Sequence, residues 1–202
     1  MNFSINGISL LFPFPVFSLK CENFKEIKND LLSLCYKLKE EDDRGVNKSN
    51  VGGWQSKVDL IKSNKKFASI FNTMLSAFIN DARIFSKNNF EVANIWVNIN
   101  QLDDYNISHI HAYSDISGVF YIKVPKDSGN IIFTNPQEFQ HHTLIDALTE
   151  EFKQQISLYS EYSISPNEGD CIIFPSNLYH RVSPNKSNSD RISIAFNLRI
   201  KK

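Results

Sequence analysis

Residues 91–124 read EVANIWVNINQLDDYNISHIHAYSDISGVFYIKV. Two β-rich runs, 91–100 and 116–124, enclose a polar segment that carries His109 and His111. Runs of the same kind follow at 130–134 (NIIFT), 170–175 (DCIIFP) and 191–200 (RISIAFNLRI). A polar stretch over 137–163 is expected to hold a short helix and then a strand around 158–164. Short strands rich in β-branched and aromatic residues, separated by turn clusters, predict an all-β sandwich or barrel.

Upstream of residue 90 the period changes from two to that of a helix. Residues 22–41 place Phe24, Ile27, Leu31, Leu32, Cys35 and Leu38 at helical spacing. Residues 65–87 do the same with Phe67, Ile70, Phe71, Met74, Leu75, Phe78, Ile79 and Ile84. The polar, glycine-bearing segment 42–56 between them reads as a loop. Residues 8–19 read as an opening strand broken by Pro13 and Pro15, which suits a sheet edge. The expected architecture is mainly β with N-terminal helices: a jelly roll with two helices packed on one sheet. The expected organisation is one domain over 1–202, with 1–89 as strand plus helical support and 90–202 as the core carrying the site.

Composition narrows the function. Lys+Arg and Asp+Glu are both 22 in 202 residues, so the net charge is zero. A duplex-binding protein draws affinity from a basic face, so duplex nucleic acid is not an expected partner. Hydrophobic residues make up 42% and Phe alone numbers 16, which supplies a packed core and argues against disorder. Cys21, Cys35 and Cys171 are odd in number, widely spaced and lack a CxxC, so free thiols in a reducing compartment are expected. Ile5 to Val16 is apolar but interrupted by Asn6, Pro13 and Pro15, too short to span a bilayer, and without a basic leader. A cytoplasmic protein with no membrane partner is the expectation.

The histidines carry the chemical signal. His141 and His142 lie in the polar stretch and read as solvated. His109 and His111 are i and i+2, so on a strand both imidazoles would face one side and could reach one metal ion. His180 follows a later strand and turn (CIIFPSNLYHRV). A pair on one strand plus a distant histidine presents three ligands and leaves coordination positions open. Arg191 opens the strand RISIAFN, where Arg191, Ser193, Ala195 and Asn197 share one face and Ile192, Ile194, Phe196 and Leu198 the other. The first face has the composition of a wall beside a small polar ligand, and a guanidinium matches a carboxylate. Its alternative is a surface strand with Arg191 paired to Asp190 or another acid. Ser117, Val119 and Tyr121 share a face of the strand ISGVFYIKV. If that strand lies beside the one carrying His109 and His111, the Tyr121 hydroxyl could donate to the same carboxylate; the alternative is a half-buried aromatic with a wet hydroxyl.

HIHAYSDISGVFYIKVP, EGDCIIFPSNLYHRVSPN and DRISIAFNL together resemble the Fe(II)/2-oxoglutarate-dependent oxygenases, and more closely a family of such oxygenases found in marine bacteria and their phages. LFPFPVFSLK, SNVGGWQSK at 49–57 and IWVNIN at 95–100 extend the resemblance over most of the chain. It implies a double-stranded β-helix of cupin-like form, with Fe(II) and 2-oxoglutarate as cofactors. Carried over by position, it gives His109, His111 and His180 as metal ligands and catalytic centre. Arg191 and Tyr121 anchor 2-oxoglutarate, and Ser117, Ser193 and Asn197 line the pocket.

The implied activity is a hydroxylase acting on a small molecule or a peptidyl residue, in a host cytoplasm if the gene is a phage's. A homodimer is the oligomer considered. Where the superfamily has HxD or HxE this chain has His109-Ile110-His111, so the third ligand is either the second histidine or a carboxylate such as Asp115. The latter needs a turn, since i and i+4 on a strand lie about 13 Å apart. Trp54, Gln55, Trp96, Asn98 and Asn100 are candidates for substrate contact. The competing readings are a metal cupin needing no 2-oxoglutarate, such as a three-histidine dioxygenase or an isomerase, and a non-catalytic jelly-roll binding module.

Overall fold

Strand β11 (Arg191–Ile200) lies between β4 (Phe90–Asn100) and β6 (Ile116–Lys123), antiparallel to both. This trio is the middle of a six-stranded sheet. It is completed by β9 (Asp170–Pro175) and β1 (Phe17–Lys20) on one side and by β3 (Trp54–Gln55) on the other. A second sheet of five strands runs β2 (Asn50–Val51), β5 (Tyr105–His109), β10 (His180–Val182), β7 (Ile131–Thr134) and β8 (Glu161–Ile164). The computed structural model describes residues 13–58, 65–80, 84, 90–137 and 145–201.

The alternation along β11 decides which face does what. Ile192, Ile194, Phe196 and Leu198 are fully buried in one apolar cluster. That cluster includes Phe24, Leu31 and Cys35 of α1 (Phe24–Glu41) and Phe71, Leu75 and Phe78 of α2 (Lys65–Ile79). Phe24, Leu31 and Cys35 are spaced by seven and four, one stripe of a helix. The two helices therefore cover the outer face of the larger sheet. A smaller cluster of Tyr121, Ile131, Phe133, Ile172, Phe174 and Leu178 fills one part of the space between the sheets. The remaining inter-sheet space holds polar side chains.

Gly118 shows why the run SGV has a glycine. It is paired across the sheet with Phe196, and a Cβ there would clash with the Cζ end of the Phe196 ring. Gly118→Ala is expected to destabilise the protein by about 1–3 kcal/mol through overpacking. Urea unfolding checks it, and a midpoint equal to wild type would show that the ring yields freely.

The expected mainly β jelly roll with helices on one sheet is the architecture found. The details differ in four places. The segment 42–56 contributes two-residue strands to an edge of each sheet, β2 and β3. β5 and β10 are strands that hydrophobic alternation did not reveal, because both are short and largely polar. α2 ends at Ile79, and most of the expected continuation to 87 lies outside the described residues. The opening strand is described only as β1, which does occupy a sheet edge; residues 8–12, like His141 and His142, lie outside the described residues. The strand expected around 158–164 and the short helix before it are present as β8 and α3 (Glu150–Ile156). The three cysteines are free. No described helix is long and apolar enough to cross a membrane.

Candidate metal and cofactor site

The antiparallel pairing of β5 with β10 places His109 directly opposite His180. Opposed residues of such a pair hold their Cβ atoms about 5 Å apart, so the two imidazoles meet, with ring centroids 4.3 Å apart. His109 is the last residue of β5, and His111 lies beyond the strand end. Its backbone N–H donates to the Ser176 carbonyl at 2.9 Å, which holds the chain back toward the site. Its ring centroid is 5.0 Å from each of the other two histidines and 5.6 Å from that of Trp96. Of the pair, His109 alone lies within the strand, and His111 follows in the irregular segment just beyond it. One ring nitrogen from each histidine lies within 4.8 Å of the others, a cluster able to hold a metal ion.

Two of the rings are fixed by the same device. His109 Nδ1 is 2.8 Å from the Ile107 carbonyl, and His180 Nδ1 is 2.9 Å from the Leu178 carbonyl. A carbonyl only accepts, so Nδ1 carries the proton and Nε2 keeps its lone pair for a metal. Burial holds all three histidines neutral. It lowers His109, takes His111 to about 4 and, with help from neighbouring His109, takes His180 to about 3. In the unfolded chain the ordinary value is 6.5. Below pH 6.5 the unfolded chain therefore binds protons that the folded site refuses. Stability of the metal-free protein is full above pH 6.5 and falls as the pH drops toward about 4. Urea midpoints at pH 7 and pH 5 should show this loss, and His180→Ala should shrink it; an unchanged pH dependence in the variant would contradict it.

The other end of the cavity is built around Arg191, which is only 2% exposed. Its Nη2 donates to Asn100 Oδ1 at 3.1 Å and its Nη1 to the Ser128 carbonyl at 3.4 Å. Its Nε is buried without a partner. Asp190 is not its counter-ion; that carboxylate accepts from the Tyr36 hydroxyl at 2.9 Å. A buried guanidinium held only by neutral oxygens is an uncompensated cation, which the protein tolerates where an anion is to bind. Tyr121 is equally buried, faces the same cavity, and is pushed up by burial. Its hydroxyl makes no hydrogen bond to a described residue. The orphaned Nε, the free hydroxyl and the neutral histidine cluster fit a dicarboxylate and a divalent metal.

The sequence profile of the family described as "Putative 2OG-Fe(II) oxygenase" matches residues 94–197, about half the chain. The chain belongs to this family. No curated protein matches the sequence. Among solved structures, a prolyl-4-hydroxylase from Pseudomonas putida is 14% identical with a TM-score of 0.60, covering 93% of each chain. The viral collagen prolyl hydroxylase of Paramecium Bursaria Chlorella virus-1, in complex with 2OG, is 13% identical with a TM-score of 0.58, covering 92% of this chain and 96% of that one. HygX of Streptomyces hygroscopicus, with nickel, 2-oxoglutarate and hygromycin B bound, is 12% identical with a TM-score of 0.63, covering 92% and 83%. At these identities the likeness is one of fold.

Within this oxygenase-family fold the other residues singled out from sequence separate into two groups. Trp96, Asn98, Tyr121, Arg191 and Ser193 line the cavity with the histidines. Ser117 and Asn197 do not line it. Ser117 Oγ donates to Asn197 Oδ1 at 2.8 Å and lies 2.7 Å from Ser176 Oγ, so the three brace the turn whose carbonyl holds His111. Asn100 does not line it either; its Oδ1 accepts from Arg191. Trp54 belongs to the helix-side core, its indole donating to the Asp42 carbonyl at 2.7 Å, and Gln55 is buried on the same short edge strand. Neither lines the cavity. Asp115 stands apart from the histidine cluster, its carboxylate accepting from the Ile200 amide at 2.7 Å. Sequence reading missed Ser49 and Asn106, which line the cavity and bond each other at 3.2 Å. It also missed Ser128 and Ser176, which act through backbone carbonyls and leave no mark in side-chain pattern.

Proposed function

We propose that the protein is an Fe(II)- and 2-oxoglutarate-dependent oxygenase working as a hydroxylase in the cytoplasm on a small molecule or a peptidyl residue. The observation that carries the reading is Arg191, a buried cation with no acid partner among the described residues, opening into the cavity of the three histidines. A metal cupin without 2-oxoglutarate would have no use for it. His109 and His180 hold the metal through Nε2, and His111 is the third ligand in place of a carboxylate. Arg191 and Tyr121 take the far carboxylate of 2-oxoglutarate, with Ser193 at the wall beside it. When bound, the metal and 2-oxoglutarate supply the activation of oxygen and the oxidation of a substrate C–H bond. Trp96 packs on His111 and limits water at that ligand, and Asn98 offers an unpaired buried oxygen to a substrate donor.

Paired variants test the ligand set. His109→Ala is expected to lose iron binding and the conversion of 2-oxoglutarate to succinate, while Asp115→Ala retains both at reduced stability. Iron titration and succinate release read the result. A working His109→Ala beside a dead Asp115→Ala would replace the all-histidine set by one with a carboxylate.

A further inference from the structure

The charges of this cavity do not cancel. Its described lining residues include no Asp or Glu. Its one fixed charge is Arg191, and the groups that touch that guanidinium, the Asn100 side chain and the Ser128 carbonyl, are neutral. The three imidazoles contribute none, since an imidazole must be neutral to coordinate a metal. The remaining polar atoms that reach the space come from Ser49, Asn98, Asn106, Tyr121 and Ser193, and none is an anion.

On the oxygenase reading above, Fe(II) adds two positive charges and 2-oxoglutarate two negative ones. Arg191 is then left over as one net positive unit. A carboxylate among the ligands would cancel it, but His111 stands in the cluster and Asp115 is engaged elsewhere, at the Ile200 amide. An unbalanced charge between two packed sheets is poorly screened and draws a counter-ion.

We propose that the protein, once it holds metal and 2-oxoglutarate, binds one further monovalent anion beside the histidine cluster. A substrate carboxylate or a small inorganic ion would each meet that requirement. His111 is the residue that creates it, because it occupies a ligand position without bringing a charge.

The experiment uses the full chain loaded with Ni(II) and 2-oxoglutarate at constant ionic strength. Azide and acetate are titrated separately and followed by the metal's absorption and by calorimetry. One equivalent of at least one anion is expected to bind saturably. That affinity should fall at least about tenfold in His111→Asp, where a ligand charge repels it. His111→Glu serves if the shorter acid fails to retain Ni(II). Preference for azide would identify a small inorganic ion as the occupant, and preference for acetate a carboxylate substrate. Absence of saturable one-to-one binding to the wild type overturns the proposal without recourse to a variant, as does equal affinity in wild type and carboxylate variant. A wild type that binds neither Ni(II) nor 2-oxoglutarate would bring down the oxygenase reading and this inference with it. One that binds both and ignores the anions defeats the inference alone.

Discussion

His180→Ala is expected to abolish stoichiometric iron binding, with affinity reduced by more than about 100-fold, because even groups that only support a metal ligand cost up to that much when removed. His180 is the most buried member of the cluster. It is 3% exposed, directly opposite His109 in the β5–β10 register, and its Nδ1 is tied to the Leu178 carbonyl. That bond fixes both the ring orientation and the tautomer, so Nε2 is oriented with its lone pair free. With His180 gone, two imidazoles remain, one of them beyond the end of its strand, and they cannot supply the same enclosure. The fold should survive, since the ring leaves a gap beside Phe133 and Phe174 but no buried charge. Metal analysis after gel filtration reads the stoichiometry, and circular dichroism controls for folding. Retention of one iron per chain in a folded His180→Ala protein would remove this histidine from the ligand set.

Arg191→Lys is expected to weaken 2-oxoglutarate binding about ten- to a hundred-fold, the equivalent of losing about 1.5–3 kcal/mol of charge-assisted hydrogen bonding. The charge is kept, so the effect isolates geometry. Asn100 and Ser128 hold the two Nη atoms and leave Nε without a partner. A lysine ammonium is a point charge on a flexible stem. It cannot satisfy both supports and also present a flat fork to a carboxylate. Calorimetric titration of 2-oxoglutarate into metal-loaded protein gives the ratio. Wild-type affinity in Arg191→Lys would move the anchor to another residue.

These two residues also show how differently parts of the site can be read from sequence. The strands that form the middle of the larger sheet announce themselves. β4, β6 and β11 are long, rich in β-branched and aromatic residues, and alternate cleanly, so the apolar face of Ile192, Ile194, Phe196 and Leu198 is legible in the residues themselves. The reason is local: side-chain direction along a strand has a period of two, whatever the strand pairs with. The helical spacing of Phe24, Leu31 and Cys35 is legible on the same ground. So are the three histidines, whose residue type carries the chemistry by itself.

Tertiary structure alone decided the rest. β5 and β10 are five and three residues long and mostly polar. Their existence depends on ladder bonds to neighbours, which no pattern in their own residues encodes. His111 lies past the end of β5, and its backbone is held by a carbonyl 65 residues away at Ser176; backbone carbonyls have no sequence signature. Asn98 and Asn100 look equivalent along β4, yet one faces the cavity with an unpaired oxygen and the other is consumed by Arg191. Trp54, an attractive candidate by residue type, is drawn into the helix-side core because the Asp42 carbonyl satisfies its indole. The solitary charge of Arg191 is a property of the whole surrounding shell. Only the assembled sheets reveal that neutral oxygens, and no described acid, are what surround it.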